Sequence, residues 1–365
     1  MRKLYEDYIM KITPLTPIHI GSGEAIMPGE YFVFKEDGMN FLYAVDIGYL
    51  GSRLTEESRH KLCGMIVEAP VKWVIKVKES DKFCQLIRKY ARYKAFVTDA
   101  VADGINKRWG KGTSELEVST HQRSGLHLVV PGSSIKGALR TALLYSRVRK
   151  PLRVDNQILK AVSNWERKVL GSKSVAIQDD LLRHLKVSDA LVDGVETRIL
   201  DVEHVGMRDN KSGKQAEITD YRECLPGVLE EGIAEYTFNA AVQISSGHPH
   251  YFQNRGKLSK EDIIKACREF YSAVINAELD YWKGDSKIEK LYADIQARFK
   301  DYQDVAPIRL GWGCGMDSVS LNLAKPTGRH PRGKTDVHFL YNPRTRRIFD
   351  GLYPPGWAVF TLESV

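Results

Sequence analysis

A chain of 365 residues that is 43% hydrophobic and 27% charged carries enough apolar material for a sizeable core, which excludes a disordered or fibrous polymer and allows one elaborated domain or two. Fifty-four lysines and arginines against 46 acids leave a formal charge of +8, a surplus that favours a polyanionic partner only where it gathers on one face. Cys63, Cys84, Cys224, Cys267 and Cys314 are scattered with no C-x-x-C pair, so neither a zinc ribbon nor a disulfide framework is indicated, and a reducing cytoplasm fits. No apolar run approaches the ~20 residues of a membrane span, and no leader-like start occurs.

In chain order, residues 8–14 read as a strand and residues 15–27, broken by glycine and proline, as a loop. Residues 31–34 and 41–45 flank Lys35-Glu36-Asp37-Gly38, whose Asp-Gly pair between aromatic and β-branched runs predicts a hairpin. An α-rich insertion is expected between residues 47 and 127. Within it, residues 73–77 alternate as a strand does, and residues 83–97 carry apolar side chains at helical spacing. A short apolar run, 126–130, ends at Pro131-Gly132, after which Ser133 or Ser134 is placed to cap a helix reaching Val148. The basic stretch 147–186, mixed with acids, reads as a solvent-exposed helical arm.

Further strands are expected over residues 185–187, 197–205, 217–221 and 233–244. Two helices follow, 259–282 and 286–299, each opening on a serine cap. Strand-like pieces at 308–310, 337–341, 346–349 and 357–362 close the chain. The pattern is α+β rather than a doubly wound parallel sheet, without short repeats. A division near residues 246–256 would separate an N-terminal domain, 1–245, from a smaller C-terminal domain, 246–365.

Pro131-Gly132-Ser133-Ser134-Ile135-Lys136-Gly137-Ala138-Leu139-Arg140-Thr141 joins a turn, a helix N-terminus and two cations. First-turn amides and serine hydroxyls suit a phosphate, and Lys136 and Arg140, four residues apart, share a helix face. An ordinary capped helix with a solvated basic face fits the same residues. Arg309-Leu310-Gly311-Trp312-Gly313-Cys314-Gly315 sets three alternate glycines after a strand, with an aromatic ring to stack on a base and an arginine beside it. A tight connection with Trp312 in the core fits equally. Residues 325–347 concentrate Lys325, Arg329, Arg332, Lys334, Arg344, Arg346 and Arg347 against Asp336, which suits phosphate contacts or a solvated basic loop.

Gly328-Arg329-His330-Pro331-Arg332-Gly333-Lys334-Thr335 matches the phosphate-binding G-x-x-x-x-G-K-T pattern, but a strand-like segment follows where a helix is required, so the match reads as coincidence. His19, in Pro17-Ile18-His19-Ile20-Gly21-Ser22-Gly23, and Asp46 are the residues a nuclease would use, and neither has an identifiable partner. His248-Pro249-His250 lacks further ligands, so no metal or other cofactor is assigned.

Thr16-Pro17-Ile18-His19-Ile20-Gly21-Ser22-Gly23, then Pro131 to Tyr145, then Leu185-Lys186-Val187-Ser188-Asp189, then the glycine loop together resemble the RAMP superfamily of CRISPR proteins, in order as well as in kind. The tail Asn342-Pro343-Arg344-Thr345-Arg346-Arg347 with Pro355-Gly356-Trp357 resembles the family of fifth subunits of Csm effectors. That resemblance implies two ferredoxin-like, RRM-type domains with helical insertions. It also implies a non-catalytic subunit that caps the 3′ end of guide RNA (crRNA) in a type III-A complex. Implied partners are the guide, the other Csm subunits, chiefly the repeated backbone subunit, and a host nuclease that trims the guide. The guide-contacting positions implied are His19, Gly21, Ser22, Gly23, Ser133, Ser134, Lys136, Arg140, Arg309, Gly311, Trp312, Gly313 and Gly315. The alternative is a metal-independent guide-processing endoribonuclease with His19 as base.

Overall fold

Along β13 (Phe238–Ser245), Phe238, Ala240, Val242 and Ile244 are buried while Asn239 and Ala241 face solvent, the period-two pattern of a half-buried antiparallel strand. A computed structural model, which describes residues 5–68, 73–109, 116–147, 181–206, 218–245, 258–324 and 343–365, pairs this strand with β1 (Tyr5–Pro14). β16 (Trp357–Ser364) lies on the other side of β1. With β14 (Ala306–Arg309) and β9 (Leu185–Val187) at its edges, the antiparallel sheet runs β14-β16-β1-β13-β9. Its apolar side chains, among them Met10, Ile12 and Trp357, share one core with Ile135 and Leu139 of α6 (Gly132–Arg147), Phe270 and Tyr271 of α7 (Lys260–Tyr281), and Ile288 and Tyr292 of α8 (Ser286–Ala297).

A second sheet is mixed and larger. Its order is β2 (Gly21–Ile26), β6 (Val118–His121), β12 (Tyr221–Cys224), β11 (Arg198–Val205), β5 (Tyr93–Val97), β4 (Met39–Ala44), β3 (Tyr31–Glu36), and β15 (Arg346–Phe349) extends the pairing of β11. Helices α1 to α4 (Ile47–Arg53, Glu56–Glu68, Trp73–Lys78, Asp81–Tyr90) form one core with the Phe32 and Phe34 side of the β3–β4 hairpin. α5 (Asp99–Arg108) packs with Tyr31, Val33 and Leu42 on the other side of that hairpin. A small third sheet, β10 (Ala190–Val192), β8 (His127–Val130) and β7 (Arg123–Ser124), leads directly into α6.

The α+β class is therefore observed, and several elements fall where local chemistry placed them. Asp37 and Gly38 turn the β3–β4 hairpin with φ of 47° and 85°, as a primed turn requires. Ser259 caps α7 in a reciprocal capping box with Asp262. Other expectations are corrected. Residues 21–26 form an edge strand because their backbone pairs with β6, although their polar side chains carry no strand pattern. Residues 73–77 are helical: Trp73, Val74 and Val77 are the buried positions, and five residues are too few to distinguish the two periods. The run 83–97 is α4, a break at Ala91, then β5. Asp285, not Ser286, caps α8.

Strands from both sides of position 245 flank β1 and share one core, while two further clusters lie within residues 31–221. Most of the arm-like stretch, His248-Pro249-His250, the P-loop-like stretch at 328–335 and the strand-like piece 337–341 lie outside the described residues.

One buried ion network locks α7 to the glycine-loop region. Glu278 of α7 accepts from Arg346 Nε at 3.0 Å and from Tyr292 Oη at 3.3 Å, with Arg309 Nη1 at 3.6 Å. Removing one member of such a network leaves uncompensated charge in a low-dielectric interior, which costs about 3–5 kcal/mol. Glu278→Ala should therefore lower the free energy of urea unfolding by about that amount, and an unchanged unfolding midpoint would show that the network carries no stability.

Candidate nucleic-acid interface

His19 follows β1 and the bend at residues 15–16, and is fully buried. Its Nδ1–H donates to the backbone carbonyl of Glu223 at 2.7 Å, and its Nε2 has no hydrogen-bond partner among the described residues. Burial drives its pKa down to about 4, outweighing the hydrogen bond to Glu223, so the ring is neutral at pH 7. A general base must come within hydrogen-bond reach of the proton it takes, and a ring with no solvent exposure offers no such approach. Gly21, Ser22 and Gly23 follow it out to the surface: the two glycines are exposed, and the Ser22 hydroxyl sits 2.8 Å from Thr120 Oγ1.

The glycine loop is bonded to this segment. Trp312 N–H donates to His19 O at 2.8 Å, and Gly356 N–H to Pro17 O at 2.8 Å. Gly311, at φ 87°, rests against the His19 carbonyl so closely that a Cβ would run into it, so this glycine serves chain packing. The space beside Gly313 is filled by Pro355, whereas Gly23 and Gly315 face open space.

Trp312 is half-buried and committed to cations rather than open to a base: Arg222 lies 3.4 Å and Arg347 4.8 Å from its ring centre. The rings of His19 and His204 stand edge-on to it at 6.3 and 6.4 Å. Asp220 pairs with Arg222 at 3.0 Å and lies 3.4 Å from His204 Nε2. Two arginines and two histidines thus surround one aromatic ring, with the Asp220 carboxylate among them. Arg309 is buried, donating to Pro355 O at 2.8 Å and Ser318 Oγ at 3.1 Å, so it holds the loop in place. Arg222 and His204 were missed, because strand residues that meet Trp312 only in three dimensions leave no local signal.

On α6 the cap is supplied from elsewhere in the chain. Asp189 Oδ1 accepts from Gly132 N–H at 2.7 Å, so neither Ser133 nor Ser134 is the cap, and the first amide already holds an anion. This gives Leu185-Lys186-Val187-Ser188-Asp189 a structural meaning: β9 pairs with β13, the Ser188 hydroxyl accepts from Ala241 N–H at 2.9 Å, and Asp189 caps α6. Ser133 and Gly137 are exposed, and Ser134, Lys136 and Arg140 are half-buried. α6 also packs against α7 and the short helix Met316–Val319 that follows Gly315, so the three segments singled out by sequence are joined by direct packing.

Fold and site together define an α+β protein whose joined loops and surface cations suit a nucleic-acid backbone, and sequence comparison supplies the family: residues 11–316 match the RAMP superfamily, and the chain belongs to it. A curated relative, the CRISPR system Cms protein Csm5 of Methanocaldococcus jannaschii, is 25% identical over 385 aligned positions that cover 94% of this chain and 78% of that protein. Among solved structures, a chain of the cryo-EM Csm–crRNA–target RNA ternary complex of a type III-A CRISPR–Cas system matches with TM-score 0.65 at 18% identity, covering 97% of this chain and 100% of that one. The crystal structure of T. onnurineus Csm5 matches with TM-score 0.59 at 17% identity, covering 96% and 99%. At these identities the structural likeness is one of fold.

Two outcomes follow for this site. Above the ordinary histidine value of 6.5, His19 is neutral folded and unfolded; below it the unfolded chain takes up a proton that the folded chain refuses until about pH 4. Stability should therefore fall between pH 6.5 and 4, by about 3 kcal/mol for this group, and level off below. Urea midpoints across that range would read it. His19→Asn, which keeps an N–H for the Glu223 carbonyl, should flatten the decline. Separately, Gly137 lies exposed in mid-helix with nothing near its Cα, a position where alanine is favoured by about 0.5–1 kcal/mol. Gly137→Ala should raise the melting temperature; an unchanged or lowered value would show that the glycine serves the helix there.

Proposed function

We propose that this chain is a non-catalytic subunit of a type III-A Csm effector, binding crRNA and capping its 3′ end. The observation that carries the reading is the union of the His19–Gly23 segment, the glycine loop and α6 into one packed unit with cations at its surface. The relative named Csm5 and the Csm–crRNA–target RNA complex support it from outside the chain. Ser22, Ser133, Ser134, Lys136 and Arg140 would hold phosphates, with Arg222 and Arg347 positioned by Trp312. Gly23 and Gly315 leave room for the RNA backbone. His19 and the other glycines act by shaping the loops. Phosphate contacts of this kind set register and orientation without reading sequence, which suits a subunit that must accept any guide. Other Csm subunits, chiefly the repeated backbone subunit, would cover the helical insertion, and a trimming nuclease would act on the guide end.

The endoribonuclease alternative lacks an accessible base, since His19 is buried and locked. Repeat RNA incubated with the purified chain in chelator should remain intact. Lys136→Ala with Arg140→Ala should weaken binding of single-stranded RNA and flatten its salt dependence by roughly 0.7 in log K per log unit of salt for every phosphate no longer neutralised. A salt slope equal to wild type would remove α6 from the interface, and cleavage abolished by His19→Ala would restore the nuclease.

A further inference from the structure

Beside the Gly21–Gly23 segment, between β2, β6 and the turn joining β7 to β8, lies an open cavity of about 270 Å³. We propose that it receives a single unstacked nucleobase of the bound RNA, one bearing an exocyclic amino group. The inference rests on the RNA-binding reading above and adds to it a site for a base where that reading supplies only phosphate contacts.

Size comes first. Pockets for drug-sized ligands run from about 300 to 1,000 Å³, so this cavity suits one ring system and is too small for a peptide segment or a helix.

Its walls have the chemistry of a base site. Arg123 forms part of one wall, with its guanidinium 3.8 Å from the ring centre of Tyr93 and bonded to both oxygens of Glu223. A guanidinium fixed in this way is a rigid planar surface, and RNA bases stack on such planes as they do on aromatic rings. Leu126, at the tip of the turn, is 67% exposed and lines the cavity. An apolar side chain left in solvent there is explained if it covers one face of an entering ring.

The rim carries both signs of hydrogen-bonding group. Glu24 and Arg92 line the cavity as exposed residues, and neither side chain is ion-paired among the described residues. A carboxylate accepts from an exocyclic amino group, which adenine, cytosine and guanine carry and uracil lacks, while Arg92 suits the adjoining phosphate. Continuity with the interface fixes the ligand class as RNA. Ser22 of the His19–Gly23 segment lines the cavity, and His121, another lining residue, stands edge-on to His19 at 6.3 Å, which in turn stands edge-on to Trp312. A strand whose phosphates meet the Trp312 arginines can therefore place a neighbouring base in the cavity.

The test uses the full chain with a set of uridine 12-mers, each carrying 2-aminopurine at one stepped position, since that base fluoresces weakly when stacked on other bases and brightly when unstacked. A several-fold rise at one position on the saturated complex is expected. Leu126→Trp, which fills the mouth from an exposed turn, should abolish that rise and weaken binding of the amino-bearing RNA about 5- to 10-fold, within the range for removal of one stacked base. Glu24→Gln should reduce the preference for 2-aminopurine over uridine at that position. The double variant at Lys136 and Arg140 should weaken binding yet keep the rise at saturation. RNA that binds with no position-dependent rise, or a rise unchanged in Leu126→Trp, overturns the cavity alone. RNA that does not bind the wild-type chain overturns both the cavity and the proposed function. Equilibrium dialysis that finds adenosine monophosphate binding more tightly than the RNA would overturn it in favour of a free-nucleotide site.

Discussion

Glu223 carries the arrangement of the interface. It is a carboxylate with no solvent exposure, and burial by itself would push its pKa up. The hydrogen bonds and charge of Arg123, with the Thr197 hydroxyl and the His121 amide, instead hold it below the ordinary glutamate value. These partners come from β6, β7 and the start of β11, and the backbone carbonyl of the same residue fixes His19 from a further stretch of chain. An ionised group in the interior is tolerable only when every lone pair is used. That requirement leaves few alternative positions for β6, β12 and the His19 segment relative to one another.

A second buried carboxylate, Glu278, does the same for the other half of the interface. It gathers Arg309, at the end of β14, and Arg346, at the start of β15, beneath the glycine loop. The two networks meet at Trp312, whose amide holds the His19 carbonyl and whose ring lies under Arg222 and Arg347. The cations offered to a ligand are thus positioned by residues that no ligand touches. Buried ion networks of this sort favour one geometry over others more than they add net stability.

How much of this could be read from sequence follows from the range of each interaction. The Asp37-Gly38 turn and the Ser259 capping box are satisfied within four residues, so the chemistry is visible locally. The short strand β2 is invisible because its backbone partners lie on β6, far along the chain, and its side chains need not be apolar. Lys136 and Arg140 were legible as a helix face, and the family motifs pointed to segments that the fold brings into contact. What those motifs do was not legible: Asp189 is a helix cap, Gly311 a packing site and Arg309 an internal strut. Each role depends on a partner distant in sequence, and the glycine or charge alone does not reveal whether its neighbour is RNA or protein.

The placement of β1 has a consequence for synthesis. Its partner on one side is β16, with Ile12 opposite Phe360, and the Gly356 and Trp357 amides that hold the 15–17 bend come from the same late segment. A nascent chain therefore leaves the edge of β1 that β16 covers unpaired until residues 356–364 have been made. The glycine loop cannot settle on His19 before then. The packing of the glycine loop on His19 thus depends on the same late segment, and loss of residues 356–364 would unsettle both the edge of β1 and the 15–17 bend.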